Sequence, residues 1–134
     1  MTKNQVTSVS ISQLQISVVD DDHSMSRMLS RVLTSAGFVV SCFGSAEEFL
    51  EAEQSDDPVC LILDMNLPGM SGVELQQKLL QQGCKVPIIF VSADANEVVQ
   101  QRVLDAGAFS FLSKPFRIES LLANVRAVTV LLLA

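Results

Sequence analysis

Residues 61–72 read LILDMNLPGMSG. With Val59 and Cys60 in front, the apolar part runs through residues 59–63 without alternation, which predicts a strand buried on both faces, as in a parallel sheet. The run stops on a bare carboxylate, Asp64, and the chain then turns through Pro68 and Gly69. An aspartate in that place can be a turn residue accepting local amides, or it can carry chemistry. The rest of the chain has to decide.

Working outward, the hydrophobic period switches repeatedly between strand-like and helical. Ile16–Val19 is a short strand followed by three aspartates, and Met25, Met28, Leu29, Val32 and Leu33 then recur at helical spacing up to Gly37. Phe38–Phe43 is strand-like, and Ser45 with Glu48 forms a capping-box pattern opening a helix that presents Phe49 and Leu50. Beyond the 59–63 strand, Ser71 with Glu74 repeats that pattern before Val73, Leu75, Leu79 and Leu80. Pro87–Val91 is another unalternated strand. Asp94 with Glu97 predicts the cap of a helix bearing Ala95, Val98, Val99 and Val103 on one stripe, stopped by Gly107. Phe109–Leu112 is a fifth strand, and Ile118, Leu121, Leu122 and Val125 mark a fifth helix.

Each connection is too long for a hairpin and right for a crossover, so the pattern predicts an α/β, flavodoxin-like doubly wound (βα)5 sandwich. If the order of its parallel five-stranded sheet is 2-1-3-4-5, the first and third strands are neighbours. The expected organisation is a flexible, Ser/Thr/Gln-rich arm over residues 1–14, a single domain over 15–128, and an apolar tail or start of a linker over 129–134.

Composition narrows the function. The 49% hydrophobic share supports a core without disulfides, and the cysteines at 42, 60 and 84 are odd in number with no C-x-x-C spacing. Cys42 and Cys60 fall in predicted strands, where a free thiol serves as a small apolar filler; such usage fits a reducing cytoplasm. A formal charge of −6 makes direct nucleic-acid binding by this segment a poor expectation. No run approaches the ~20 apolar residues of a membrane span, and no signal-peptide pattern opens the chain.

Ligands of such sheets sit beyond the carboxyl ends of the strands, where strand order reverses. In the 2-1-3-4-5 order the first and third strands flank that point, which brings Asp20, Asp21 and Asp64 together. Three mutually close carboxylates would cost on the order of 10 kcal/mol at an effective dielectric of 20, so a cation or proton must neutralise them, and an all-oxygen set suits Mg²⁺. Asp22 or Ser24 is a candidate cap for the following helix. The fourth strand ends at Ser92, and Lys114 follows the fifth, where an ammonium could neutralise an incoming oxyanion.

Four motifs stand in order: VVDDD, LILDMNLPGMSG, PIIFVSA and GAFSFLSKPF. Together they resemble the receiver domain of the response regulators of two-component phosphorelay signalling, over about residues 16–128. The resemblance implies that Asp64 is the phosphoryl acceptor. It implies that Asp21 ligates Mg²⁺ directly, with Asp20 acting through water and the backbone carbonyl of Asn66 as a further ligand; Mn²⁺ would substitute. Ser92 would hydrogen-bond the phosphoryl group, Lys114 would pair with one of its oxygens, the Lys114–Pro115 bond would be cis, and Phe111 would be the switch aromatic, without the hydroxyl of the commoner Tyr. His23 would be a surface residue, and the donor a phosphohistidine on a kinase or phosphotransfer protein.

The implied protein is cytoplasmic and is not a turnover enzyme, although it would phosphorylate itself from small donors and dephosphorylate at Asp64. It would act on a partner or on a C-terminal output domain, with a homodimer through the fourth helix, fifth strand and fifth helix as a further expectation. Two rivals remain: an aspartyl-nucleophile phosphatase, which needs an aspartate where Asn66 stands, and a degenerate receiver serving only as a docking module.

Overall fold

A computed structural model describes residues 14–52, 58–94 and 96–133. The expected arm thus lies, apart from Leu14, outside the described residues, as does Ala95 of the fourth-helix stripe. The elements in chain order are β1 (Gln15–Val19), α1 (His23–Ser35), β2 (Val39–Phe43), α2 (Ala46–Glu51), β3 (Cys60–Asp64), α3 (Gly72–Gln81), β4 (Ile88–Ser92), α4 (Glu97–Asp105), β5 (Ser110–Ser113) and α5 (Ile118–Leu133). All strand pairs are parallel, as the sequence predicts, and the order β2-β1-β3-β4-β5 makes the first and third strands neighbours.

Every residue of β3 and β4 is buried, because helices cover both faces of the sheet. Cys60 and Ile62 point to the side of α1 and α5, where they pack with Leu29, Leu33, Leu121 and Val125. Leu61 and Leu63 point to the side of α2, α3 and α4, with Phe49, Leu75, Leu79 and Val103. This division is the period of two in a strand, and it explains why the run needed no polar alternation. Each fully buried aliphatic side chain contributes about 1.5–3 kcal/mol.

Four expectations need correction. The fourth helix is capped by Asn96, whose Oδ1 accepts from the amides of Val98 (2.9 Å) and Val99 (3.3 Å); the Asp94 amide instead donates to Ser92 Oγ at 3.0 Å. On that helix Val103 is buried while Val98 is 69% exposed, so the apolar stripe is narrower than the spacing suggested. Ser45 Oγ accepts from the Glu48 amide at 3.0 Å but Glu48 does not return the bond, whereas Ser71 and Glu74 complete theirs in both directions. Cys42 is exposed, because β2 is an edge strand with one strand neighbour; Cys60 is the buried filler expected. Beyond these, α5 runs as helix through Leu133, with Val130, Leu131 and Leu132 exposed.

Candidate functional site

The register pairs Val19 of β1 with Leu63 of β3, so Asp20 and Asp64 emerge side by side at the carboxyl ends of the two strands that flank the reversal of strand order. Asp20 is 2% exposed and Asp64 6%, while Asp21 is exposed. One carboxylate oxygen from each lies within 4.8 Å of the others. Asp22 does not join them. Its Oδ1 accepts from the amides of Ser24 (2.9 Å) and Met25 (3.3 Å) and caps α1, the alternative the sequence had offered.

Lys114, just past β5, reaches back into the cluster. Its Nζ lies 3.1 Å from Asp20 Oδ2 and 3.7 Å from Asp64 Oδ2. The Lys114 amide donates to the Ser92 carbonyl at 2.7 Å, which fixes where the side chain starts, and the Lys114–Pro115 peptide bond is cis. Asp20 Oδ1 also accepts from the Asp22 amide at 2.9 Å. Asp64 Oδ1 accepts from the Asn66 amide at 3.1 Å.

The Asp64 carboxyl is pushed above the usual carboxylate range, chiefly because burial penalises its charged form. The Asn66 amide and the Lys114 ammonium pull it down, and the charges of Asp20 and Asp21 push it up. A cation bound among the three carboxylates would favour the ionised form. The donor set is all oxygen, with two members buried and one open to water, which fits a hard divalent ion that keeps several water ligands.

Ser92, at the end of β4, is fully buried. Its Oγ accepts from Asn66 Nδ2 at 2.9 Å and from the Asp94 amide at 3.0 Å, and donates to the Asp94 carbonyl at 3.3 Å. Asn66 therefore touches both Asp64, through its backbone, and Ser92, through its side chain. Phe111 is half-buried against the cluster that includes Phe90 and Val103. His23 is exposed at the first turn of α1.

Three contributors escaped the sequence reading. The Asn66 side-chain bond to Ser92 joins residues 26 apart. A Glu47 oxygen accepts from the Met70 amide at 2.8 Å and braces the loop after Asp64, where Gly69 takes φ +73°. That bond lowers the Glu47 carboxyl below its usual range. Gly72 opens α3 directly behind Asp64: a Cβ there would press on the Asp64 carbonyl oxygen and sit 2.9 Å from Met65 Cα. The MSG that closes the opening motif is the visible trace of this close approach.

A doubly wound parallel sheet with an acidic cluster and a lysine at its switch point defines a CheY-like α/β domain. The model of the response regulator receiver domain matches residues 16–126. The chain belongs to that family, the receivers of two-component systems. Nodulation protein W of Bradyrhizobium diazoefficiens is 43% identical over 112 residues, which are 84% of this chain and 49% of that protein. Response regulator protein TodT of Pseudomonas putida is 40% identical over 112 residues, again 84% and 49%. The structure of response regulator StyR superposes with a TM-score of 0.82 at 40% identity, covering 89% of this chain and 60% of that one. The chain thus spans about half the length of the curated relatives it matches.

Proposed function

We propose that this receiver accepts a phosphoryl group on Asp64 from a phosphohistidine of a kinase or phosphotransfer protein. The observation that carries the reading is one buried carboxylate, Asp64, set between acidic neighbours and an ammonium 3.7 Å away. An Asp64 oxygen forms the new O–P bond as the P–N bond to the donor imidazole breaks. The bonding electron pair stays on the imidazole nitrogen, which takes a proton from solvent, and an acyl phosphate remains on Asp64. Asp20, Asp21, Asp64 and the backbone carbonyl of Asn66 would hold Mg²⁺, or Mn²⁺ in its place, which when bound neutralises the phosphoryl oxygens. Lys114 holds the remaining charge, and Ser92 offers its hydroxyl proton to a phosphoryl oxygen.

Asn66 is the observation against the phosphatase reading, because an amide cannot supply the general acid that such enzymes place there. The docking-only reading is disfavoured by the complete set of Asp20, Asp21, Asp64, Ser92 and Lys114. The protein would work in the cytoplasm as a switch and not as a turnover enzyme. Residues 15–128 would form the receiver unit, and the length of the relatives supports an output region beyond it. Val98 of α4 and Ile118 of α5, both exposed, belong to the α4-β5-α5 face through which a homodimer would form.

The test is intact-mass spectrometry after incubation with acetyl phosphate and Mg²⁺. The wild-type chain should gain one phosphoryl group and Asp64→Asn none; equal labelling of the two would overturn the assignment of Asp64.

A further inference from the structure

Between Leu67, buried in the core, and Ser71, the N-cap of α3, the loop after Asp64 passes through Pro68, Gly69 and Met70. The base of this loop is closed. The Met65 amide donates to the Val91 carbonyl and the Gly72 amide to the Met65 carbonyl, each at 3.0 Å. The Ser71 amide donates to Glu74 Oε1 at 2.9 Å, within α3. The tip is open to water at Pro68 and Gly69.

Glu47 holds that tip from another element. Its Oε2 accepts from the Met70 amide at 2.8 Å. The same oxygen lies over Gly69, so close that a Cβ there would sit 2.8 Å from it. The missing side chain at Gly69 is thus what admits the carboxylate. The mount is firm: Ala46 and Phe49, on either side of Glu47 in α2, are buried in the same cluster as Met65 and Leu67. The loop held in this way also carries Asn66, which is exposed. Its amide donates to Asp64 Oδ1 at 3.1 Å and its Nδ2 to Ser92 Oγ at 2.9 Å. Hydrogen bonds, not burial, keep the Asn66 side chain in place.

We propose that Glu47 is a positioning residue for phosphoryl transfer: by tethering Met70 it restrains the loop that presents Asn66 to Asp64 and Ser92. This rests on the reading of Asp64 as the phosphoryl acceptor. Glu47 acts through the loop and not on the reacting atoms. Its loss would let the tip sample other conformations, and the ordering that the tether supplies beforehand would have to be met during transfer.

Glu47→Ala and Glu47→Gln in the full chain test this, because glutamine keeps an acceptor oxygen of the same reach and alanine keeps none. In metal-free buffer, the Met70 amide of Glu47→Ala should exchange with water roughly three- to tenfold faster than in the wild type, the worth of one net hydrogen bond. The Asn66 side-chain amide resonances should shift and broaden. Transfer from acetyl phosphate at saturating Mg²⁺ should slow roughly threefold or more. Glu47→Gln should restore most of each effect. A purely structural loss would lower the urea midpoint and leave the Asn66 resonances of the folded protein where they were. Unchanged Asn66 resonances or an unchanged transfer rate in Glu47→Ala, or a Glu47→Gln variant no better than Glu47→Ala, would each overturn the proposal. Labelling of Asp64→Asn would overturn the acceptor reading instead, and the Asn66 resonances, read without metal or donor, would still decide the tether.

Discussion

Replacing Lys114 by methionine keeps the aliphatic stem and deletes the charge that holds the acidic cluster together. The ammonium lies 3.1 Å from Asp20 Oδ2 and 3.7 Å from Asp64 Oδ2, which at an effective dielectric of 20 gives gross attractions of about 5.4 and 4.5 kcal/mol. Much of that is offset by the desolvation of the lysine itself. Removing one partner from a largely buried pair costs about 3–5 kcal/mol net. The Lys114 side chain is 17% exposed, so screening by water favours the lower end, about 3 kcal/mol. In magnesium-free buffer Lys114→Met should therefore unfold at clearly lower urea than the wild type.

Magnesium should reverse the ranking of the responses. The wild-type cluster is already partly neutralised by Lys114, so an added divalent ion competes with it for Asp20 and Asp64. In the variant that competitor is gone. If Mg²⁺ binds tenfold more tightly there, its stabilisation at saturating concentration is greater by about 1.4 kcal/mol. Urea melts of both proteins with EDTA and with excess Mg²⁺ give all four values. The reasoning is refuted if the variant matches the wild type in EDTA, or if Mg²⁺ stabilises both equally.

Asp64→Asn should change the pH dependence of stability in magnesium-free buffer. Because the folded-state pKa of Asp64 is raised above its unfolded value, the folded protein binds the extra proton between the two values and wild-type stability falls as pH rises through that window. The variant should gain over wild type above the window and lose the advantage as pH drops below it; an advantage constant across a pH series of urea melts would refute this. Gly72→Ala should cost about 1–3 kcal/mol through overpacking against the Asp64 carbonyl, and an unchanged melting midpoint would show that α3 yields freely. On the proposed reading, Asn66 and Asp94 stand two residues beyond Asp64 and Ser92 with polar side chains able to orient water, so replacing both with alanine should slow loss of the phosphoryl group roughly tenfold or more after removal of acetyl phosphate; an unchanged decay rate would exclude them from that role.

Strands β3 and β4 were legible because complete burial leaves a simple signature, an apolar run with no polar interruption. Asp20, Asp21 and Asp64 were legible because each follows or ends an apolar strand, and the order 2-1-3-4-5, which the reading took as its condition, does bring the ends of β1 and β3 together. Other features depend on distances that sequence does not encode. Asp94 and Asn96 are both competent caps by residue type, and the choice follows from where the helix begins: at Glu97, directly after Asn96, while the Asp94 amide is held back against Ser92 Oγ. Cys42 sits in a strand as apolar in sequence as its neighbours, but an edge position leaves it exposed. Gln76 stands beside another glutamine on an amphipathic helix, and only the packing of α4 over it sets it apart.

The Ser92 hydroxyl shows how an event at Asp64 would reach α4 on the proposed reading. A hydroxyl has one proton to give and two lone pairs to receive, and here all three are in use: Asn66 Nδ2 and the Asp94 amide fill the lone pairs, and the proton faces the Asp94 carbonyl. A phosphoryl oxygen is an acceptor, so it can compete only for the proton. The bond it displaces is the longest of the three, at 3.3 Å. Exchanging that neutral bond for a charge-assisted one is favourable by about 1 kcal/mol, and the two bonds in which Ser92 accepts can persist. The Asp94 carbonyl then loses its tether three residues before α4 begins at Glu97. Val103 is the one fully buried side chain of that helix, so little packing opposes a small shift at its amino-terminal end. The residue that makes phosphorylation felt is thus the one already hydrogen-bonded at both sides of the gap, and Ser92→Ala would sever acceptor from helix without touching Asp64.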